Sequence, residues 1–267
     1  MLVLIKNEWI KLIKKKSSWI MWLIMVGLTF GYNFLVSKIS EDVSANQSFA
    51  ELTSMTSVLN LIVVVVVASC VAEEFSRGTI KFLLIRPYTR TQILFSKFIT
   101  CFLYGVVGTV ILYLASLLSA NLFLTAESPF ETVTGYFGWN AVTVAGSIAG
   151  ANLILMLLYI SITIFISAAI RSQNLAVGLG VAVLFGSPII NNILMPLIEK
   201  QEWLKWNIFN IMNIKSTIGE AATAMLEADY PFLSLNFWQM TAGIIVYSVA
   251  IYFLTNYLFN KRDVSLG

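Results

Sequence analysis

The sequence predicts an all-α fold: a polytopic integral membrane protein of six transmembrane helices with both termini on the cytoplasmic side. Three observations predict it. The 267 residues are 58% hydrophobic and only 12% charged, with a mean hydropathy of +0.82, whereas soluble domains carry about 25% charge. Six stretches hold no Asp, Glu, Lys or Arg: Ser17 to Ser37, Leu52 to Ala72, Phe98 to Ala126, Thr132 to Ile170, Ser172 to Ile198 and Tyr230 to Asn260. Each can house the roughly 20 apolar residues that cross a bilayer as helix. The basic residues, finally, alternate from loop to loop in a way that only an even number of spans satisfies.

The spans are expected near 17–37, 52–72, 98–121, 141–170, 173–197 and 239–259. Thirteen of the 17 basic residues fall before the first span, between the second and third, between the fourth and fifth, or after the sixth. The other four, Lys38, Lys200, Lys205 and Lys215, fall in the alternate loops. The positive-inside rule places the first set in the cytoplasm. Ten of the 14 acidic residues sit in the segments thereby assigned outside. A β-barrel is excluded because runs such as LNLIVVVVVASC do not alternate with period two. A cleaved leader is not expected either, since the first apolar run is about 20 residues with no small-residue cleavage site.

Residues 1–16 precede the first span. Ile5, Trp9, Leu12 and Ile13 recur at helical spacing among lysines, which predicts an amphipathic helix in the interface. Between the second and third spans lies the longest cytoplasmic loop, 73–97. Ile80, Leu83 and Leu84 give it a short amphipathic helix, Pro87 interrupts that helix, and a second stretch from Thr89 or Arg90 leads into the third span. In the fourth span Gly146 and Gly150, and in the fifth Gly178, Ala182 and Gly186, stand four apart and permit close helix approach. Pro188 is expected to kink the fifth span. The region 198–238 is extracellular or interfacial, its aromatics Trp203, Trp206, Phe209 and Tyr230 suiting one or two helices at the membrane surface.

Composition also bounds the chemistry. There is no histidine, no phosphate-binding G-x-x-x-x-G-K-[ST] loop, no H-E-x-x-H and no G-x-S-x-G. Cys70 and Cys101 lack a disulfide or metal spacing. Glu73 and Glu74 are adjacent rather than facing. The chain is therefore not expected to be an enzyme and is expected to bind no metal, cofactor or nucleic acid. No predicted span contains an ionisable residue, as a proton- or ion-driven carrier would require. The uncharged polar candidates to line a substrate path are Asn140, Asn152, Gln173 and Asn174, with Ser161 and Thr163; each serves equally well in helix packing.

The loop residues Glu74, Gly78, Thr79, Ile80, Lys81, Leu83, Leu84, Pro87, Arg90 and Lys97, in the pattern E-x-x-x-G-T-I-K-x-L-L-x-x-P-x-x-R-x-x-x-x-x-x-K, resemble those of ABC-2 type transporter permeases. The opening IKNEWIKLIKKKSSWIMWLI, with Glu8 and its lysine tract, is similar too, as is SAAIRSQNLAVGLG at 167–180. The resemblance implies one permease domain over 1–267, the transmembrane subunit of an ATP-driven exporter in a bacterial cytoplasmic membrane. Its partners would be a second permease, identical or related, and separate cytoplasmic ATPases that carry the ATP and magnesium. Loop 73–97 would be the coupling region, with Glu74, Gly78, Thr79, Lys81, Pro87 and Arg90 in that role; Glu74 and Arg90 would pair or dock onto the ATPase, and Gly78 and Pro87 would set the bends. Region 198–238 would form the re-entrant or surface helices closing the path. Among such permeases the chain is most similar to small ones of bacteriocin or lantibiotic immunity, antimicrobial peptide export or drug efflux, whose substrate is an amphipathic peptide, antibiotic or lipid-like molecule. Two other classes stay open: a non-transporting immunity or regulatory protein that binds a peptide or partner, and a secondary carrier or channel.

Overall fold

The computed structural model describes residues 1–39, 43–51, 53–76, 88–170, 172–220, 223, 224, 228 and 231–261. Its helices are α1 (Leu2–Lys14), α2 (Lys16–Ile39), α3 (Ala45–Ala50), α4 (Thr53–Ser76), α5 (Arg90–Phe123), α6 (Ala141–Ala169), α7 (Gln173–Lys200), α8 (Ile208–Ile211) and α9 (Phe237–Lys261). Six of them, α2, α4, α5, α6, α7 and α9, are long and apolar enough to cross a membrane. The protein is thus an all-α, multi-pass protein of the cytoplasmic membrane. The spans run up and down, so α1, the end of α4, the start of α5 and the end of α9 meet at one end of the bundle. We call this the basic end and its opposite the far end.

The spans are apolar around most of their circumference, as buried or lipid-embedded helices must be. The most buried is α6, which packs on α4, α5, α7 and α9. The peripheral α2 and α7 turn large apolar side chains such as Leu23, Leu35, Leu179 and Ile193 outward. Glycine sets one close approach in the core. A Cβ at Gly180 on α7 would lie 2.8 Å from Val64 on α4, so these helices meet where no larger residue fits. Gly146, Gly150, Gly178 and Gly186 have open space instead. The four-residue spacing therefore did not mark the packed face: on α7 the contact is made by Gly180, two residues on from Gly178.

Helix ends follow local chemistry. Thr89 accepts from the Gln92 backbone and Gln92 answers the Thr89 N–H, a capping box that starts α5 eight residues ahead of the expected span. Asn140 caps α6 by accepting from Thr143 N at 2.8 Å. Helical backbone continues through both Pro188 and Pro196. Residues 132–140 before α6 form turns, with Gly135, Phe137 and Gly138 at positive φ. At the far end, α3 is a six-residue helix that the sequence pattern did not announce. It packs Phe49 and Ala50 into the core, and Ser48 donates to Asn33, which in turn donates to Ser119, each at 2.6 Å.

Region 201–218 does not lie flat on the surface. Asn210, Ile211, Met212 and Ile214 are buried, and a Cβ at Gly243 of α9 would meet Ile211 at 2.6 Å. Asn210 donates to the Lys205 and Leu233 carbonyls, and Tyr247 of α9 donates to the Trp206 carbonyl. Trp203 and Trp206 remain exposed. The segment is thus wedged between α7 and α9, which make no sustained contact with each other.

Candidate functional site at the basic end

Gly78, Thr79, Lys81 and Pro87 lie outside the described residues. The backbone of Glu74 belongs to the last turn of α4, and its side chain also lies outside what is described. What the structure provides is the frame on either side of this loop.

Arg90, at the first turn of α5, donates from Nη1 to the carbonyls of Phe259 and Asn260, both at 3.2 Å. These belong to the last turn of α9, whose final carbonyls have no intrahelical donors and carry partial negative charge. A guanidinium there caps the sixth span with the start of the third.

Two turns on, Lys97 is 1% exposed and sits 2.8 Å from the Glu8 carboxylate, itself 3% exposed. Lys97 Nζ also donates to the Cys70 carbonyl of α4 at 3.1 Å, and Lys11 reaches Glu8 at 2.5 Å. Burial by itself would raise the pKa of Glu8, but Lys97 first and then Lys11 outweigh it and hold the carboxyl below its ordinary value. The pair fixes α1 to the bundle: Leu4, Glu8 and Leu12 form its buried stripe, and Leu4 packs on Ile93 beside Tyr88. The exposed lysines 6 and 14 face away, as an interfacial helix requires. Because α5 begins at Arg90, Lys97 falls on a helix rather than in the loop, one residue ahead of the expected third span. A carboxylate in the middle of the Leu4–Leu12 line was the readable signal, since a buried charge demands a partner.

The candidate path residues are not brought together. Asn140 is the N-cap of α6 at the far end. Asn152, fully buried, forms a reciprocal amide pair with Asn60 of α4, at 2.9 and 3.1 Å. Gln173 donates to Ser69 at 3.1 Å at the basic end of α7, and Asn174 is exposed one residue later. Both amide hydrogen bonds brace α4 against its neighbours. Ser161 donates back to Leu157, one turn earlier in its own helix.

A second polar region occupies the far end. A cavity of about 220 Å³ is lined by Ser57, Asn60, Tyr159, Ser187, Asn213 and Lys215. Lys215 donates to Thr56 Oγ1 at 2.9 Å, and burial pulls its ammonium down to about 8. Across Met212 a wholly apolar cavity of about 270 Å³ opens between α7 and α9. Neither the lysine nor the two cavities were foreseen, because they depend on how deeply 201–218 inserts. Among the described residues no three His, Cys, Asp or Glu side chains converge as metal ligands would.

Residues 6–265 match the family described as "Protein of unknown function (DUF2705)". Two proteins of Bacillus subtilis (strain 168) are similar over nearly their whole length. The uncharacterized protein YhcI is 26% identical over 333 aligned positions, covering 99% of this chain and 100% of the relative. The uncharacterized membrane protein YdbK is 27% identical over 264, covering 95% and 99%. With its six apolar spans and a match that leaves out only the outermost residues at each end, the chain belongs to the DUF2705 family of membrane proteins.

Proposed function

We propose that this chain is the transmembrane subunit of an ABC-2 type ATP-driven exporter, a single permease domain energised by a separate cytoplasmic ATPase and working beside a second permease chain. The observation that carries the reading is the frame around loop 77–87. Its flanks are tied by the Glu8–Lys97–Cys70 cluster and by Arg90 to α1, α4, α5 and α9, four helices at one end of the bundle. A force applied to the loop would reach all four without first bending a free linker. Such a frame suits a chain that receives work from a partner and has no phosphate-binding loop of its own.

In this reading the ATPase grips the loop through Glu74, Gly78, Thr79, Lys81 and Pro87, while Arg90 passes the displacement to the sixth span. The substrate is an amphipathic or apolar molecule, and the chain supplies no catalytic group. The test is co-purification with a span-free P-loop ATPase, followed by ATP turnover in liposomes. Gly78→Val is expected to abolish substrate-stimulated turnover while insertion and co-purification persist. Undiminished stimulation would overturn the coupling assignment.

A further inference from the structure

We propose that the far end of the bundle binds an anionic phospholipid of the adjacent leaflet, its phosphate against Lys215 and one acyl chain in the apolar groove between α7 and α9. The inference stands apart from any ATPase partner.

The two cavities are neighbours and differ in chemistry, one partly polar and the other wholly apolar. Met212 borders both. Leu155 and Tyr159 line the polar one, and Ile162 and Phe165 the apolar one; at this spacing all four occupy one face of α6. Together their volumes fall within the roughly 300–1,000 Å³ range of small-molecule sites. Both have exposed mouths, at Phe185 and Pro188 for the polar cavity and at Leu254 for the apolar one.

The apolar groove lies deeper in the bundle than the polar cavity. Thr56, Ser57 and Asn60 lie within about 11 Å of the far end of α4, and Leu254 about 26 Å from the far end of α9, at 1.5 Å rise per residue. The polar groups on α4 thus stand near headgroup level, and the groove runs from there past the middle of a hydrocarbon core roughly 30 Å thick.

Charge selects the headgroup. Among the described residues no carboxylate lies within ion-pair distance of Lys215, whose hydrogen-bond partner is the neutral Thr56 hydroxyl. A largely buried cation with a neutral partner is poorly compensated. A phosphate in the cavity would supply the missing charge, with the Asn213 amide beside it as a further donor. A zwitterionic headgroup brings its own cation into the same space and gains less.

The test uses the purified full-length chain in detergent, titrated with dioleoyl phosphatidylglycerol, with phosphatidylcholine of the same chains, and with glycerol 3-phosphate. Bound lipid is read by native mass spectrometry and the thermal midpoint is followed in parallel. Phosphatidylglycerol is expected to bind at least about tenfold more tightly than phosphatidylcholine, the scale of one charge-assisted hydrogen bond. Lys215→Gln is expected to erase that preference. Leu254→Trp, at the exposed mouth of the groove, is expected to weaken both lipids. Lys215→Met, which removes the buried charge altogether, gives the same reading where the glutamine variant elutes poorly. An unchanged preference in the variants would overturn the proposal. Equal stabilisation by glycerol 3-phosphate alone would also overturn it, reducing the site to one for a free anion.

Discussion

Lys97 and Lys215 are the same side chain withdrawn from water at opposite ends of one bundle, and their surroundings differ in kind. Lys97 meets a carboxylate at 2.8 Å and a carbonyl at 3.1 Å, in a pocket closed by α1. Lys215 meets a hydroxyl and an open polar cavity. The first arrangement is complete in itself and holds helices together. The second leaves a charge only partly answered, which is how a binding site differs from a structural one. Burial of a charge, taken alone, says nothing about which of the two it is; the identity of the partner decides.

Breaking each pair should expose the difference. Lys97→Met leaves the buried Glu8 with only the half-exposed Lys11 as its cation and is expected to cost up to about 3 kcal/mol, with the Glu8→Leu, Lys97→Met double variant recovering most of it. The thermal midpoint in detergent reads both. Lys215→Met, in contrast, removes a poorly compensated charge and is expected to leave the midpoint unchanged or higher. A loss at Lys215 as large as that at Lys97 would erase the distinction.

The neutral pair in the core gives an intermediate case. Asn152→Leu strands the Asn60 amide and is expected to cost about 1–3 kcal/mol, with partial recovery in the Asn60→Leu, Asn152→Leu double variant. Arg90→Ala, which removes the cap on α9, is expected to cost about 0.3–2 kcal/mol and to raise hydrogen exchange at residues 256–261 before it moves the midpoint.

The two ends should titrate in the same sense but in different pH windows, one acidic and one alkaline. Glu8 has a folded pKa below its ordinary 4.5, so its contribution is complete above that value and is lost as pH falls through the lower folded one. Lys215 has a folded pKa of about 8 against an ordinary 10.5. Between those values the unfolded chain binds a proton that the folded chain has released, so this group makes stability rise with pH. Stability profiles of Glu8→Gln and Lys215→Met, each compared with the parent chain, isolate the two slopes.

The spans were legible because lipid imposes a length and a composition on each segment separately, and nothing distant is needed to satisfy them. Runs such as LILMLLYISITIFISAAI have no other stable home. The start of α5 was legible in part, as the stretch from Thr89 or Arg90 that leads into the third span; that it joins the span as one helix was not. The remainder was set by contacts far apart in sequence. Lys97 reads as the charged edge of a span until Glu8, 89 positions earlier, is found beside it. Helix α3 is short and rich in Asn, Gln and Ser, so neither propensity nor periodicity marks it; its hydrogen bonds to Asn33 and to the Thr125 and Ser128 carbonyls do. Asn152 was singled out as polar in an apolar span, and only Asn60 opposite it makes its packing role visible. The insertion of 201–218 between α7 and α9 likewise follows from the gap those helices leave, which no single segment encodes.

In the proposed function, the loop between α4 and α5 receives a cytoplasmic ATPase. The most direct measurement is cross-linking in membranes that contain both proteins, with Lys81→Cys in the loop and Trp203→Cys at the far end. The account predicts that a short bifunctional thiol reagent joins position 81 to the ATPase, with a yield that changes on ATP addition, and that position 203 gives no such product. Capture of the ATPase from position 203, or none from position 81 while the two proteins still co-purify, would contradict it.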